Sequence, residues 1–504
     1  MSSVNSKQIA KNTIFLYIRM LLLLVVSLYT SRVILEVLGI DDYGLYNLIA
    51  GFVTFLTFIS NTLVSAMQRY FNVALGKNDL VYYNAVFSMG INVLIVFSVL
   101  ILLIGESLGL WFVLNHLNIP SDRYDAAIWV YQFSLFTFIA NTMRTPFHAS
   151  IIAHEKMNFF AYISLFEVIA RLGMVYLLMI IHYDHLIMYA FLYLLVIVLV
   201  NLIYIFYCRG KFHECKYEWN TDKELFKELI SFSGWTLMGQ ASVVVKNQGE
   251  AIFVNRFFTV AANAAMGVAV QVANALELFV SNFQTAFNPQ LIQSYASRNF
   301  IEHKQLLFRA SKFSFFLLFI MVVPLVSNID FVLGLWLVDV PNYTNYFIIF
   351  ILISYLFGAL STPFVTSVLA TGKIKNYQMV LSATFLCGLV LVYVFLKLGL
   401  EPYYVSVVAV IIHISLLFIR LWFARKYVGV SLKRYLRKVL IPITLVTVLS
   451  LPIPYLLYNL NYGFPFKIIA ILIEVVIIGS LILYVGLNRT ERKYILNTIK
   501  RIVL

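Results

Sequence analysis

Three basic side chains, Arg19, Arg171 and Lys246, stand inside long apolar stretches of this 504-residue chain. An ionised group at the middle of a membrane-spanning helix costs about 2.5–3.5 kcal/mol on insertion scales, so it needs a partner, water or a task. Glu167 with Arg171, and Lys246 with Glu250, are each spaced i,i+4, so local pairing on one helix face accounts for them equally well. Arg19 has no such partner within its own stretch, and neither has Glu277. Gathered in one cavity, the three cations would suit a diphosphate or an acidic sugar. Arg gives bidentate contacts to phosphate, while Lys acts as a point charge. Glu250 and Glu277 are the groups that could titrate or hold a coupling cation.

Uncharged polar residues are patterned as well. Asn47, Thr54, Thr57, Asn61, Ser65 and Gln68 fall within an arc of about 80° on a helix turning about 100° per residue. Gln271, Asn274, Glu277, Ser281, Thr285 and Asn288 share an arc of about 120° to 130°. At an offset of 220, Thr54 matches Asn274, Thr57 Glu277, Asn61 Ser281, Ser65 Thr285 and Gln68 Asn288. Helix–helix hydrogen bonding uses the same residue types. Two matched stripes favour a shared hydrated cavity, with Arg19, Arg171, Lys246, Asn61, Gln68, Asn274, Glu277 and Ser281 as its candidate lining.

The elements that position these residues follow from composition. The chain is 62% hydrophobic and 12% charged, with a mean hydropathy of +0.88. Soluble domains run near half apolar and a quarter charged. The apolar residues suffice for roughly fourteen spans of about 20 to 22 residues. This excludes a cytosolic enzyme, a secreted disulfide scaffold and a disordered protein, and predicts an all-α polytopic membrane protein. Lys7 and Lys11 precede the first apolar stretch without a short signal-peptide core, so no removable signal is expected. Spans are predicted near 13–35, 44–67, 86–114, 126–149, 160–181, 186–207, 230–255, 261–288, 313–336, 344–370, 377–397, 402–423, 439–459 and 464–487.

With both ends on one side, that side collects 29 of the 37 basic residues and the other side five. The positive-inside rule then puts both termini in the cytoplasm. Most of the +14 net charge is thus a topology signal rather than a nucleic-acid footprint. No outer loop exceeds about a dozen residues, which leaves no room for an extramembrane catalytic domain. The longest inner connection, 208–227, contains Thr221-Asp222-Lys223-Glu224, a capping-box pattern predicting a short amphipathic helix at the membrane surface.

The chain also repeats itself. Leu108-Gly109-Leu110-Trp111 recurs as Leu333-Gly334-Leu335-Trp336, and Thr145-Pro146-Phe147 with Ser150, Ala153 and Lys156 recurs as Thr362-Pro363-Phe364 with Ser367, Ala370 and Lys373. The offsets are 225 and 217. Six spans per copy predict two parallel lobes, 1–207 and 230–425, with the substrate site between them. A linker at 208–229 joins the lobes, and two further helices and a tail occupy 426–504.

Other motifs carry less. Cys208, His213 and Cys215 are metal-ligand types without a fourth ligand or regular spacing, so no metal is expected. His182-Tyr183-Asp184-His185 is expected to be a solvated outer turn. No P-loop, Gly-rich phosphate cradle or nucleophile elbow is present, so no nucleotide, other cofactor or catalytic residue is expected. The basic run Lys433-Arg434 to Arg437-Lys438 suits lipid headgroups rather than nucleic acid.

Residues 12–69, with Tyr29-Thr30-Ser31-Arg32, Leu38-Gly39-Ile40-Asp41-Asp42-Tyr43-Gly44-Leu45-Tyr46 and Ser65-Ala66-Met67-Gln68-Arg69, resemble Wzx-type O-antigen and polysaccharide flippases of the multidrug/oligosaccharidyl-lipid/polysaccharide exporter superfamily. Residues 249–297, including Phe287-Asn288-Pro289-Gln290, look like the matching second-half segment. The resemblance implies two six-helix lobes working by alternating access. It also implies an undecaprenyl-diphosphate-linked oligosaccharide as substrate, moved across the bacterial inner membrane without covalent chemistry. Membrane lipids, a coupling proton or sodium ion, and a polysaccharide polymerase with its chain-length machinery are the implied partners. Many members have twelve spans, so the last two have no assigned role. A drug or metabolite antiporter of the same superfamily is the nearest alternative, opposed by the basic intramembrane residues. A membrane-embedded polymerase or ligase would need a long loop or an acidic pair at a membrane face, and neither is visible.

Overall fold

The structure, a computed structural model, describes residues 3–54, 57–116, 119–258, 260–337, 339–454 and 464–493. Among them it is helical, with no strand. The protein is an all-α, multi-pass membrane protein. Ten helices among the described residues are long and apolar enough to cross a bilayer, against about fourteen predicted. The expected spans at 13–35 and 44–67 run partly outside the described side chains. The span expected at 126–149 is broken in two, and the helix through 230–255 is diluted by charged and amide residues.

Contacts divide the chain into two units, residues 1–240 with 292–298, and residues 241–291 with 299–504. The first holds α1 (Ser3–Thr54), α2 (Thr57–Lys77), α3 (Leu80–Ile104), α4 (Leu110–His116), α5 (Tyr124–Met143), α6 (Thr145–Ala153), α7 (Met157–Leu178) and α8 (His185–Lys211). Two helices, α9 (Lys223–Phe257) and α10 (Val260–Ala296), contribute residues to both units. The second adds α11 (Phe300–Ser327), α12 (Ile329–Trp336), α13 (Thr344–Ala370), α14 (Lys375–Lys397), α15 (Tyr404–Val428), α16 (Leu432–Tyr435), α17 (Ile441–Ser450) and α18 (Phe464–Leu481).

Helix starts follow side-chain chemistry. Asp79, Asp184, Asp222 and Asn299 each accept a backbone N–H one turn ahead, satisfying donors the helix cannot. Asp222, rather than Thr221, caps α9, and the amphipathic segment expected there is the first part of a 35-residue helix. Within α1 the helical path breaks at Gly39, whose φ of 77° is open to glycine at little cost. Close after this break Arg123 bridges Asp42 at 2.7 Å and Asp184 at 2.6 Å. The 182–185 turn is therefore clasped to α1, not merely solvated: Asp184 both caps α8 and accepts from Arg123.

Between helices in a bilayer there is little hydrophobic driving force, so close packing of small residues carries the association. In the second unit Ala265, Ala269 and Ala273, all 0% exposed, make an i, i+4, i+8 stripe on α10 within a core shared with α11, α12 and α13. Gly388 of α14 lies so near Ile412 of α15 that a Cβ there would sit 2.2 Å from its Cδ1. The first unit's core joins Leu45 and Ile49 of α1, Ile101 of α3, Val130 and Leu135 of α5, and Leu186 of α8. Its connection 212–222 is strapped along α3. There Asn84 Nδ2 donates to Lys216 O at 2.8 Å, Asn92 Nδ2 to Asn220 O at 3.0 Å, and Glu218 N to Ser88 Oγ at 3.0 Å.

The last helices belong to the second unit. Lys312 of α11 donates to Glu491 at 2.5 Å, with side chains 5% and 6% exposed. Glu474 of α18 accepts from Ser327 Oγ at 2.8 Å, and Tyr435 is fully buried with its hydroxyl 3.0 Å from Ser311 Oγ.

Candidate functional site

The repeated Thr-Pro-Phe motif behaves differently in its two copies. Pro363 lies inside a continuous α13, whereas Thr145-Pro146 starts α6 afresh after a break at Arg144. A proline removes one backbone N–H and favours a helix's first turn. Arg144 stands at the junction of α5 and α6, with φ of −70° and ψ of −21°. Facing it, α7 presents Phe160, Ser164, Glu167 and Arg171 at spacings of four, three and four, which is one helix face.

Arg144, Phe160, Ser164 and Glu167 line a cavity of about 250 Å³ within the first unit together with Arg19, His148 and Tyr204, while Arg171 reaches Glu167 from outside that lining. Glu167 is the shared acceptor. One carboxylate oxygen takes Arg144 Nη1 at 3.0 Å and the other takes Arg171 Nη2. The guanidinium of Arg19 lies 4.3 Å from the centre of the Phe160 ring and has no carboxylate within ion-pairing distance among the described residues. Arg144 lies 5.5 Å over Tyr204, and Arg171 4.7 Å over Tyr193. Three guanidinium groups against one carboxylate give the cluster a formal charge of +2.

Donors are left over: Arg19 Nε and Arg171 Nε are buried without a hydrogen-bond partner, as is the ring nitrogen His148 Nε2. A guanidinium carries five N–H donors, and leaving a buried one unmet costs about 1–3 kcal/mol. A phosphate group offers the geometry and charge that such donors lack. Nothing in the cluster has the arrangement of a nucleophile with its base.

Of the residues expected to share one basic cavity, the structure brings Arg19 and Arg171 together around Glu167 in the first unit. Lys246 lies in the second unit and pairs along its own helix with Glu250 at 3.0 Å, the two residues 7% and 8% exposed. Glu250 Oε1 remains buried without a partner. On α10, Asn274, Glu277 and Ser281 are exposed, and the Tyr355 hydroxyl donates to Asn274 Oδ1 at 3.1 Å. In the first stripe Gln68 is half-buried, while the side chains of Thr54, Thr57 and Asn61 lie outside the described residues.

Sequence reasoning missed Arg144, His148 and Tyr204 here, and Tyr355 and Arg420 in the second unit. Arg144 and Arg420 are both among the 29 basic residues that the charge count assigns to the inner side, yet Arg420 donates to Ser361 Oγ at 2.6 Å. The helix-breaking proline beside Arg144 was the one local signal for its position. The cysteines of the expected loose cluster are occupied: the Cys208 thiol faces Phe147 O at 3.6 Å and the Cys215 thiol faces Ser150 Oγ at 3.5 Å. Burial pushes the Cys215 thiol up to about 12.

A family model described as polysaccharide biosynthesis protein matches residues 7–295. The chain belongs to that family. Its fold is that of the multidrug-exporter superfamily to which the sequence pointed. A multidrug resistance MATE family transporter of the MOP superfamily, in an outward-facing conformation, aligns with a TM-score of 0.71 at 13% identity, over 84% of this chain and 96% of its own. A Vibrio cholerae MATE transporter aligns with a TM-score of 0.69 at 14% identity, over 84% and 98%. A Pyrococcus furiosus MOP superfamily transporter, described as having a binding pocket of reverse polarity that suggests a different function, aligns with a TM-score of 0.67 at 12% identity, over 84% and 97%. No curated protein matches the chain in sequence.

Proposed function

We propose that this polysaccharide biosynthesis family member is a flippase. It moves an undecaprenyl-diphosphate-linked oligosaccharide, the repeat unit of O-antigen or of another surface polysaccharide, from the cytoplasmic to the periplasmic leaflet by alternating access. The observation that carries the reading is the cluster of Arg19, Arg144 and Arg171 around Glu167, with donors unmet. An anionic headgroup satisfies such a pocket, whereas a cationic drug is repelled by it. The MOP superfamily fold and the family model support a transporter acting in polysaccharide synthesis.

The lipid tail stays in the bilayer while the diphosphate meets the arginines. Rocking of helices is enough for translocation, so no covalent step and no cofactor is required. Both termini face the cytoplasm of a bacterial inner membrane, as the distribution of basic residues supports. Ion coupling falls to Glu250, a buried carboxylate with one oxygen engaged by Lys246 and the other free. Proton, sodium ion and membrane potential are the three sources to separate by experiment. The released repeat unit passes to a polysaccharide polymerase and its chain-length machinery.

The test is deletion of the gene, with chemical analysis of lipid-linked sugars and complementation by wild type, Arg19→Gln or Arg144→Gln at equal membrane expression. Deletion should remove surface glycan and leave a lipid-linked oligosaccharide inside. Both variants should complement poorly. Absence of any accumulating lipid-linked sugar would refute the flippase reading, and full complementation by both variants would refute the role of the pocket.

A further inference from the structure

Outside the arginine pocket, the second unit carries a carboxylate that neither packing nor pairing explains. Glu277 lies in a membrane-spanning helix, is exposed, and meets no hydrogen-bond or ion-pair partner among the described residues. A charged side chain facing lipid there would be costly, so it faces a polar space and is kept for something in that space. One turn earlier on the same face stands Asn274, also exposed. Its amide is oriented: the Tyr355 hydroxyl donates to Oδ1 at 3.1 Å, which aims the Nδ2 donors away from Tyr355. Ser281 continues the same face one turn beyond.

The result is a fixed donor beside an acceptor-only carboxylate. Residues three apart on a helix hold their Cβ atoms about 5–6 Å from each other, a spacing that two neighbouring hydroxyls of a sugar ring can bridge. One hydroxyl donates a hydrogen bond to the Glu277 carboxylate, and its neighbour accepts one from Asn274 Nδ2. A diphosphate is excluded, since Glu277 repels it. A monovalent cation at Asn274 Oδ1 would compete with the Tyr355 hydroxyl for that oxygen.

We propose that Asn274 and Glu277 form a saccharide-hydroxyl subsite in the second unit, with Tyr355 as the positioning residue that fixes the amide. The inference rests on the reading of a lipid-linked oligosaccharide as substrate.

The experiment compares two ligands on the full-length protein in lipid nanodiscs. One is undecaprenyl diphosphate without sugar. The other is the lipid-linked oligosaccharide isolated from the deletion strain. Glu277→Gln keeps shape and removes the charged acceptor. It should weaken the sugar-bearing lipid about ten-fold or more, the loss of a charge-assisted hydrogen bond, and leave the sugarless lipid unchanged. Tyr355→Phe removes only the group that orients Asn274. It should give a smaller loss confined to the sugar-bearing lipid, a split that general destabilisation would not produce. Equal losses on both lipids, or no loss on either, overturn the subsite. So does an unchanged affinity accompanied by loss of proton or sodium dependence, which would make Glu277 a coupling site. If the wild-type protein binds neither lipid, the substrate reading itself has failed and the subsite falls with it; binding of both with an indifferent Glu277→Gln refutes the subsite alone.

Discussion

Arg19 and Arg144 line the same cavity, yet replacing each by Gln should have opposite consequences for stability. Arg144 already gives 3.0 Å to Glu167, so most of its charge is offset before any ligand arrives. Removing it leaves Glu167 half-paired at a side-chain exposure of 16%, a loss of about 1–3 kcal/mol for an under-satisfied buried charge. Its contribution to an incoming phosphate is mainly one charge-assisted hydrogen bond, about 1.5–3 kcal/mol. Among the described residues Arg19 has no carboxylate within ion-pairing distance; its guanidinium lies over the Phe160 ring and its Nε is unmet. Its charge is offset only by Glu167 across the cavity, and is worth up to about 4 kcal/mol to a unit negative charge at about 4 Å and an effective dielectric near 20. Part of that is spent in desolvating the ligand. We therefore expect Arg19→Gln to weaken undecaprenyl diphosphate binding by about 2–3 kcal/mol, or roughly 30- to 150-fold at about 1.4 kcal/mol per decade. Because it removes a half-buried cation with no directly paired carboxylate, the same variant should melt no lower than wild type without ligand. Arg144→Gln should lose less affinity and melt lower. Titration of the sugarless lipid by native mass spectrometry, with thermal melts of the same preparations, reads both axes. Equal affinity losses with equal destabilisation, or a clearly less stable Arg19→Gln, would refute the idea that Arg19 is the uncompensated charge of this pocket.

Three further outcomes follow from packing. Lys312→Met alone should destabilise the protein by about 3–5 kcal/mol, because Glu491 is left charged in a buried site; the double change with Glu491→Met should recover most of it, checked by thermal unfolding of the three variants. Gly76→Val should cost about 1–3 kcal/mol, since a Cβ there meets the Gln293 carbonyl oxygen at 2.6 Å and its Cα at 2.9 Å, and backbone does not yield as a side chain would. Cys215 should stay unmodified by maleimide at neutral pH until the protein unfolds; burial raises its thiol to about 12, so the thiolate appears only far above neutrality, and labelling before unfolding would contradict its burial.

Legibility in the sequence tracked distance along the chain. The pairs Glu167–Arg171 and Lys246–Glu250 were visible because helical geometry alone puts i and i+4 together. The same local logic flagged Glu277 and Arg19 as unpartnered within their own helices. Arg144 was misread, since a cation beside a proline-marked break looks like any loop cation until the facing helix is known. Its partner stands 23 residues away, on α7. The lack of an assigned role for the last two helices had the same cause: Lys312 and Glu491 are 179 residues apart.

The bilayer is the reason the sequence alone went as far as it did. In lipid every backbone group must be paired within its own segment, so an apolar run of sufficient length has one regular solution. Membrane residence, helical class, most of the spanning segments and the presence of costly intramembrane charges were therefore determined by composition and periodicity. Which charges meet was decided only by tertiary packing. Arg19 and Phe160 come together from 141 positions apart, and Arg171 shares Glu167 with a residue on another helix, while Lys246 closes on its own neighbour instead. Coulomb energy depends on distance in space and on the local dielectric, and the order of residues carries neither.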